Sequence, residues 1–188
     1  MGLDTLVRLP ARPLTLDDVA EIAANSPDLR YELHRGMLLV MPPADGEHAA
    51  IVTRMTVWLV MNGFGASEVL GSAGVRVSRE GGGTGRVPDL IVLHKSSASN
   101  AVWFDPADIS LAIEVVSNGS EDLDRLIKPV EYAAAGIPNF WRVERAAGSE
   151  PTVHAYRLGV DENGNPAYVG HLVTPLNDLL AGPVPTLG

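Results

Sequence analysis

Apolar positions along this chain fall into short runs divided by glycine, proline and polar clusters, a pattern of many short strands with a few amphipathic helices. Thr15 stands as a candidate N-cap with Asp18 three residues on, and Leu16, Val19, Ala20, Ile22 and Ala23 supply an apolar face, so residues 15 to 24 are predicted to be helical. Tyr31 to Leu33 and Met37 to Met41 are apolar runs split by His34-Arg35-Gly36, which predicts a hairpin. Between residues 47 and 62, Ile51, Met55, Trp58, Leu59 and Asn62 recur near helical spacing, and Gly63 and Gly65 supply the stop.

Glu68 to Leu70 and Gly74 to Val77 are predicted strands, followed by a flexible glycine-rich loop from Arg79 to Arg86. Leu90 to Leu93, entered by Pro88-Asp89, and Leu111 to Val116, interrupted only by Glu114, have the near-continuous apolar character of buried strands. A helix over roughly 121 to 135 places Leu123, Leu126, Ile127, Val130 and Ala134 on its apolar face. Phe140 to Glu144, Thr152 to Leu158 and Ala167 to Val173 complete the predicted strands. Interspersed strands and helices indicate an α/β or α+β fold around a mixed sheet.

At 188 residues, a single domain is expected, with its core between about 15 and 180. A hydrophobic fraction of 46% against 20% charged residues suits a packed globular core. The net charge of -9 argues against a broadly basic nucleic-acid-binding surface. Any such contact is therefore expected to be local, and residues 71 to 100 are the candidate, with Arg76, Arg79, Arg86 and Lys95 against Glu80 and Asp89. The absence of cysteine excludes disulfides, thiolate zinc sites and cysteine nucleophiles. The N-terminal stretch lacks a secretory pattern, Leu6 stands where a myristoylation signal needs Ser or Thr, and no apolar run is long enough to span a membrane. A cytoplasmic protein with no membrane partner is expected, in which the Asn118-Gly119-Ser120 sequon is only a turn.

Asp89 and Glu114 break otherwise apolar strands. A buried carboxylate is costly unless it is paired, hydrogen-bonded or bound to a cation, so each is either an ordinary satisfied ion pair or part of a shared site. Oxygen donors without cysteine or clustered histidine suit Mg2+ or Mn2+. Glu47-His48 does not extend to a zinc-protease motif. The run Gly81-Gly82-Gly83-Thr84-Gly85-Arg86 lacks the lysine of a nucleotide phosphate loop; it reads either as a plain hairpin tip or as a mobile flap that brings backbone N–H groups and arginines to a nucleic-acid backbone.

The ordered set Tyr31-Glu32-Leu33, Pro88-Asp89, Glu114-Val115-Val116-Ser117, Asp124, Lys128, Tyr132, Ala135-Gly136-Ile137 and Trp141 resembles the Uma-type putative restriction endonucleases of the PD-(D/E)XK nuclease superfamily. The resemblance runs over about residues 15 to 180. It implies a restriction-endonuclease-like mixed central sheet flanked by helices, and divalent-metal-dependent hydrolysis of phosphodiester bonds in nucleic acid, with DNA the expected substrate. Asp89 and Glu114 would be the metal-binding acids, with Glu32 an additional one. Val116 occupies the place of the superfamily's usual lysine, so the resemblance implies that Lys128 has taken over that role from the next helix, supported by Tyr132. His48, Arg76 and Arg86 are candidate phosphate contacts, His48 having a plain surface position as its alternative.

Helical-wheel geometry puts Lys128 opposite Leu123, Ile127 and Val130, which leaves a solvated lysine paired with Asp124 as the other reading, and Pro129 implies a bend or restart there. A catalytically inactive nuclease-fold module for binding or regulation is the alternative function, kept open by the acidic balance and the displaced lysine. A sugar hydrolase is disfavoured by the scarcity of aromatic residues for stacking. A homodimer would suit cutting of both strands of a duplex.

Overall fold

The computed structural model describes residues 10–26, 29–95, 101–117 and 119–187, so Leu6 and the sequon's Asn118 lie outside the described residues. Its strands form two mixed sheets flanked by helices, the α/β architecture expected. Helix α1 (Leu16–Asn25) starts at the predicted cap: Asp18 N–H donates to the Thr15 hydroxyl, and the Asp18 carboxylate accepts from the Thr15 backbone N–H in return. Strands β1 (Arg30–His34) and β2 (Met37–Met41) make the predicted hairpin. Arg35 and Gly36 both have positive φ, 49° and 79°, the handedness of a tight two-residue hairpin turn. A Cβ on Gly36 would lie 2.6 Å from Pro13 Cβ, so the turn needs glycine for both space and conformation.

Helix α2 (Gly46–Met61) is capped by Asp45, whose carboxylate accepts from His48 N–H, and buries Ile51, Met55, Trp58 and Leu59. Strands β3 (Val69–Gly71) and β4 (Gly74–Ser78) follow as expected. The predicted flexible loop does not persist to Arg86. After a single turn at Glu80–Gly82, strand β5 (Thr84–Arg86) is fully buried between β1 and β4. The flap reading is corrected accordingly: the glycines turn the chain, and Arg86 drives the segment inward to meet buried acids.

Strand β6 (Leu90–Leu93), the short β7 (Trp103–Phe104) and β8 (Ile109–Val115) come next; β6 and β8 are buried along their whole length. One sheet has the order β2-β1-β5-β4-β7. The other runs β11-β10-β9-β8-β6-β3, with β9 (Asn139–Glu144), β10 (Thr152–Val160) and β11 (Pro166–Pro175), and the β8–β9 pair at its centre is parallel. Leu90, Val92, Leu111, Ile113 and Val115 pack under α2 and the short helix α4 (Leu176–Ala181), which the sequence pattern did not announce. Ile91, Ala112 and Phe140 face the other way, toward Tyr132 and Ile137. Trp58, Trp103 and Trp141 all lie in the core.

The largest departure lies between β8 and β9. Instead of one helix, a π-helical turn (Leu123–Ile127) precedes α3 (Lys128–Ala134). Lys128 N–H donates to the Leu123 carbonyl, five residues back, and Pro129 sits in the first turn of α3, where its missing N–H costs nothing. The apolar face expected inside is turned out: Leu126 and Val130 are 65% and 67% exposed, while Asp124, Lys128 and Tyr132 point inward. Polar attraction has won over apolar burial here, because the acids beneath this segment need a cation.

Gly36→Ala is expected to destabilise the chain by about 2 kcal/mol, combining a left-handed φ with the Pro13 overlap. Urea unfolding would read this as a lower midpoint with an unchanged slope, and a midpoint equal to that of the wild type would contradict it.

Candidate active site

In the β6–β8 register Leu90 faces Ile113, so Asp89, just before β6, and Glu114, near the end of β8, lie at the same end of the larger sheet. The two carboxylates are near enough to act on each other, the charge of Asp89 helping to raise Glu114. From the smaller sheet come Glu32 on β1 and Arg86 on β5; from the π turn and α3 come Asp124, Lys128 and Tyr132. All seven side chains are at most 4% exposed.

Lys128 Nζ lies 2.8 Å from Asp124, 3.0 Å from Glu114 and 3.6 Å from Glu32. The i,i+4 pairing with Asp124 is therefore present, but the solvated lysine is not, since the side chain is 3% exposed. Tyr132 donates its hydroxyl to Glu114 at 2.6 Å. Arg86 donates to Glu32 at 2.9 Å and grips Glu131 with two further N–H groups at 2.7 and 2.9 Å. The second Glu32 oxygen accepts the Val87 N–H at 3.1 Å.

Asp89 has a separate set of partners. One oxygen accepts from Arg30 at 2.7 Å and faces His48 Nε2 at 3.0 Å; the other accepts the Val115 N–H at 2.8 Å. Burial works to raise the Asp89 carboxyl, yet His48, Arg30 and the Val115 amide together hold it below the ordinary range. An ionised carboxylate only accepts, so His48 carries its proton on Nε2 in this contact. His48 Nδ1 is buried without a hydrogen-bond partner.

Glu114 behaves oppositely. Burial pushes its carboxyl up to about 8; Lys128 opposes this, and Asp124, Asp89 and Glu32 add to it. Burial also disfavours the Lys128 ammonium, but Glu114, Glu32 and Asp124 outweigh it and raise the pKa above the usual lysine range. Two neighbouring carboxylates thus differ in character: Asp89 is ionised and well provided with donors, whereas Glu114 favours its proton near neutrality.

Asp89, His48 and Arg30 border a cleft of about 390 Å³ between the β2–α2 connection and the strand ends. Arg30 was missed in the sequence because it only opens an apolar strand, and its partner lies 59 positions away. Glu131 was missed because nothing local marks it. His48, a candidate phosphate contact, is 4% exposed and partners Asp89, so the plain surface position that was its alternative does not hold. Arg86 is corrected from a phosphate contact to a fully buried counter-ion, and Arg76 engages Asp105 at 3.5 Å rather than the acid cluster. Tyr132, also fully buried, serves Glu114.

Hard carboxylate oxygens suit a divalent cation, and Asp89 and Glu114 are the residues that would hold one. The remaining acids are committed to Lys128 and Arg86, and among the described residues no group of three or more His, Asp or Glu side chains is arranged to hold a metal. Among those residues, too, no helix is long and apolar enough to cross a membrane.

Because Glu114 binds its proton more tightly when folded, its contribution to stability is complete below about pH 4.5 and is lost as pH rises through about 8. The melting temperature is expected to fall across that window more steeply in the wild type than in Glu114→Gln. Equal slopes would contradict the assignment. Lys128→Met leaves three carboxylates without their shared cation and is expected to cost about 3–5 kcal/mol in urea unfolding.

Comparison with known proteins bears on this arrangement. A family model described as "Uma2: Putative restriction endonuclease" matches residues 16–185. A crystal structure described as "a putative nuclease belonging to DUF820 from Anabaena variabilis ATCC 29413" superposes with a TM-score of 0.62, covering 90% of this chain and 98% of that one at 16% identity. At that identity the likeness concerns the fold. No curated protein matches the chain.

Proposed function

The chain belongs to the family described as "Uma2: Putative restriction endonuclease", and on that premise we propose that it is a divalent-metal-dependent nuclease that hydrolyses phosphodiester bonds in DNA. The observation that carries the reading is the pair of buried carboxylates, Asp89 and Glu114, at one end of the β6–β8 strands, with Asp89 at the edge of a cleft that also presents Arg30.

Asp89 and Glu114 would hold a Mg2+ or Mn2+ ion. Such an ion supplies charge stabilisation at a phosphate oxygen and acidifies an attacking water. Asp89 is already ionised and needs only to exchange its donors, whereas Glu114 must give up its proton, so the deprotonated site is favoured as pH rises toward 8. Lys128 and Tyr132 fix Glu114 from the helix side, and Lys128 places positive charge next to the pair. Glu32 tethers Lys128 and Arg86 and in this role helps set the position of the ammonium; as the family resemblance implies, it is also a candidate additional ligand. His48 orients Asp89. Two copies of the chain acting together would cut both strands of a duplex, which makes a homodimer part of the proposal.

One observation favours a second reading, a nuclease fold without turnover. Both oxygens of Asp89 are occupied by protein donors, as they would be in a site retained for structure alone.

Plasmid cleavage in Mg2+ or Mn2+ separates the two. Wild-type protein is expected to nick or linearise the plasmid, Asp89→Asn and Glu114→Gln are expected to abolish this, and chelation is expected to stop it. Nicking that persists unchanged in Glu114→Gln would sink the nuclease assignment of this site, and absence of cleavage in the folded wild type would favour the inactive module.

A further inference from the structure

Arg30 differs from the other cations around the acids. Arg86 is fully buried and Lys128 nearly so, each held by at least two carboxylates, but the Arg30 side chain is 29% exposed and among the described residues donates to Asp89 alone. The other partners of Asp89 are fixed: the Val115 amide is part of a fully buried strand, and His48 is wedged into the first turn of α2. Only Arg30 can leave Asp89 without disturbing an element of the fold.

It also has somewhere to go. Arg30 lines both the 390 Å³ cleft at Asp89 and a second cavity of about 380 Å³ bounded by Ala23, Tyr31, Gly74 and Trp103. A long, flexible side chain that lines two cavities has room for more than one rotamer without repacking the core. Its guanidinium fork binds either a carboxylate or a phosphate with similar geometry.

We propose that Arg30 is a built-in competitor for the cation at Asp89 and a positioning residue for the substrate: it holds Asp89 until a divalent cation takes its place, then turns to a backbone phosphate in the same cleft. The guanidinium and a divalent cation repel each other at a shared carboxylate oxygen, so binding of one weakens the other. The exchange couples cation binding to phosphate recognition, because the charge released from Asp89 becomes available to the DNA backbone. It also gives a reason for the saturated state of Asp89 that is compatible with turnover. This inference rests on the metal-dependent nuclease reading of the same site.

The test is Mn2+ binding, followed by titration calorimetry on wild type, Arg30→Met, Arg30→Lys and Asp89→Asn, with each fold checked by circular dichroism. Arg30→Met is expected to bind Mn2+ on the order of tenfold more tightly than wild type, since its competitor is gone, and Asp89→Asn is expected to lose binding. In calcium, anisotropy of a labelled DNA duplex is expected to show weaker binding by Arg30→Met, with the logarithmic salt dependence reduced by about 0.9, the loss of one phosphate contact. Equal Mn2+ affinity in wild type and Arg30→Met, with Asp89→Asn still deficient, would overturn the role of Arg30 while leaving the metal site standing. Unchanged binding in Asp89→Asn, or no binding by any of the proteins, would overturn the nuclease reading and this inference with it. Should Arg30→Met fail to fold, Arg30→Lys carries the test: it loses the fork, is expected to bind Mn2+ more tightly than wild type, and an unchanged affinity would overturn the inference.

Discussion

The buried ammonium of Lys128 is the charge on which the arrangement depends. Glu114 reaches it from the larger sheet, Glu32 from the smaller one and Asp124 from the π turn. Burying these acids in ionised form is costly without a cation, and Lys128 is within reach of all three. Lys128 therefore does more than neutralise charge: it fixes how the helical segment lies across the two sheets. The outward-facing Leu126 and Val130 show the strength of that demand, because apolar side chains remain in solvent so that polar ones can meet.

The same network separates the two neighbouring carboxylates. The carboxylates Glu32, Asp89, Glu114, Asp124 and Glu131 outnumber the fixed cations Arg30, Arg86 and Lys128 that face them. The shortage is felt at Glu114, whose carboxyl is pushed up to about 8 by burial and by its acidic neighbours. Asp89, at the edge of the cleft and supplied with Arg30, His48 and a backbone amide, stays ionised. On the proposed reading, a cation at this site would take the place of the Glu114 proton and the Arg30 contact, which would link the stability of the fold to the chemistry.

Much of this was legible in the sequence. The capping box at Thr15, the hairpin at Arg35-Gly36, and the strands around Asp89 and Glu114 follow from local rules, and the family resemblance brought Glu32, Lys128 and Tyr132 into one site. The face of the 121–135 segment was not legible, because periodicity counts apolar residues and takes no account of buried acids waiting on a neighbouring sheet. Arg86 was misplaced for a related reason: a glycine-rich approach looks mobile until its arginine has somewhere to dock. Arg30 and His48 meet Asp89 across 59 and 41 positions of chain, and no local pattern encodes such a meeting.

A double-mutant cycle in urea unfolding, combining Lys128→Met with Glu32→Gln, tests the dependence on Lys128 most directly. If one buried cation ties the helix to the smaller sheet, the two substitutions should be strongly coupled, the pair costing less than the sum of the singles by about 1.5 kcal/mol or more. Additivity within about 0.5 kcal/mol would mean that the two side chains are neighbours without being partners, and would contradict the account.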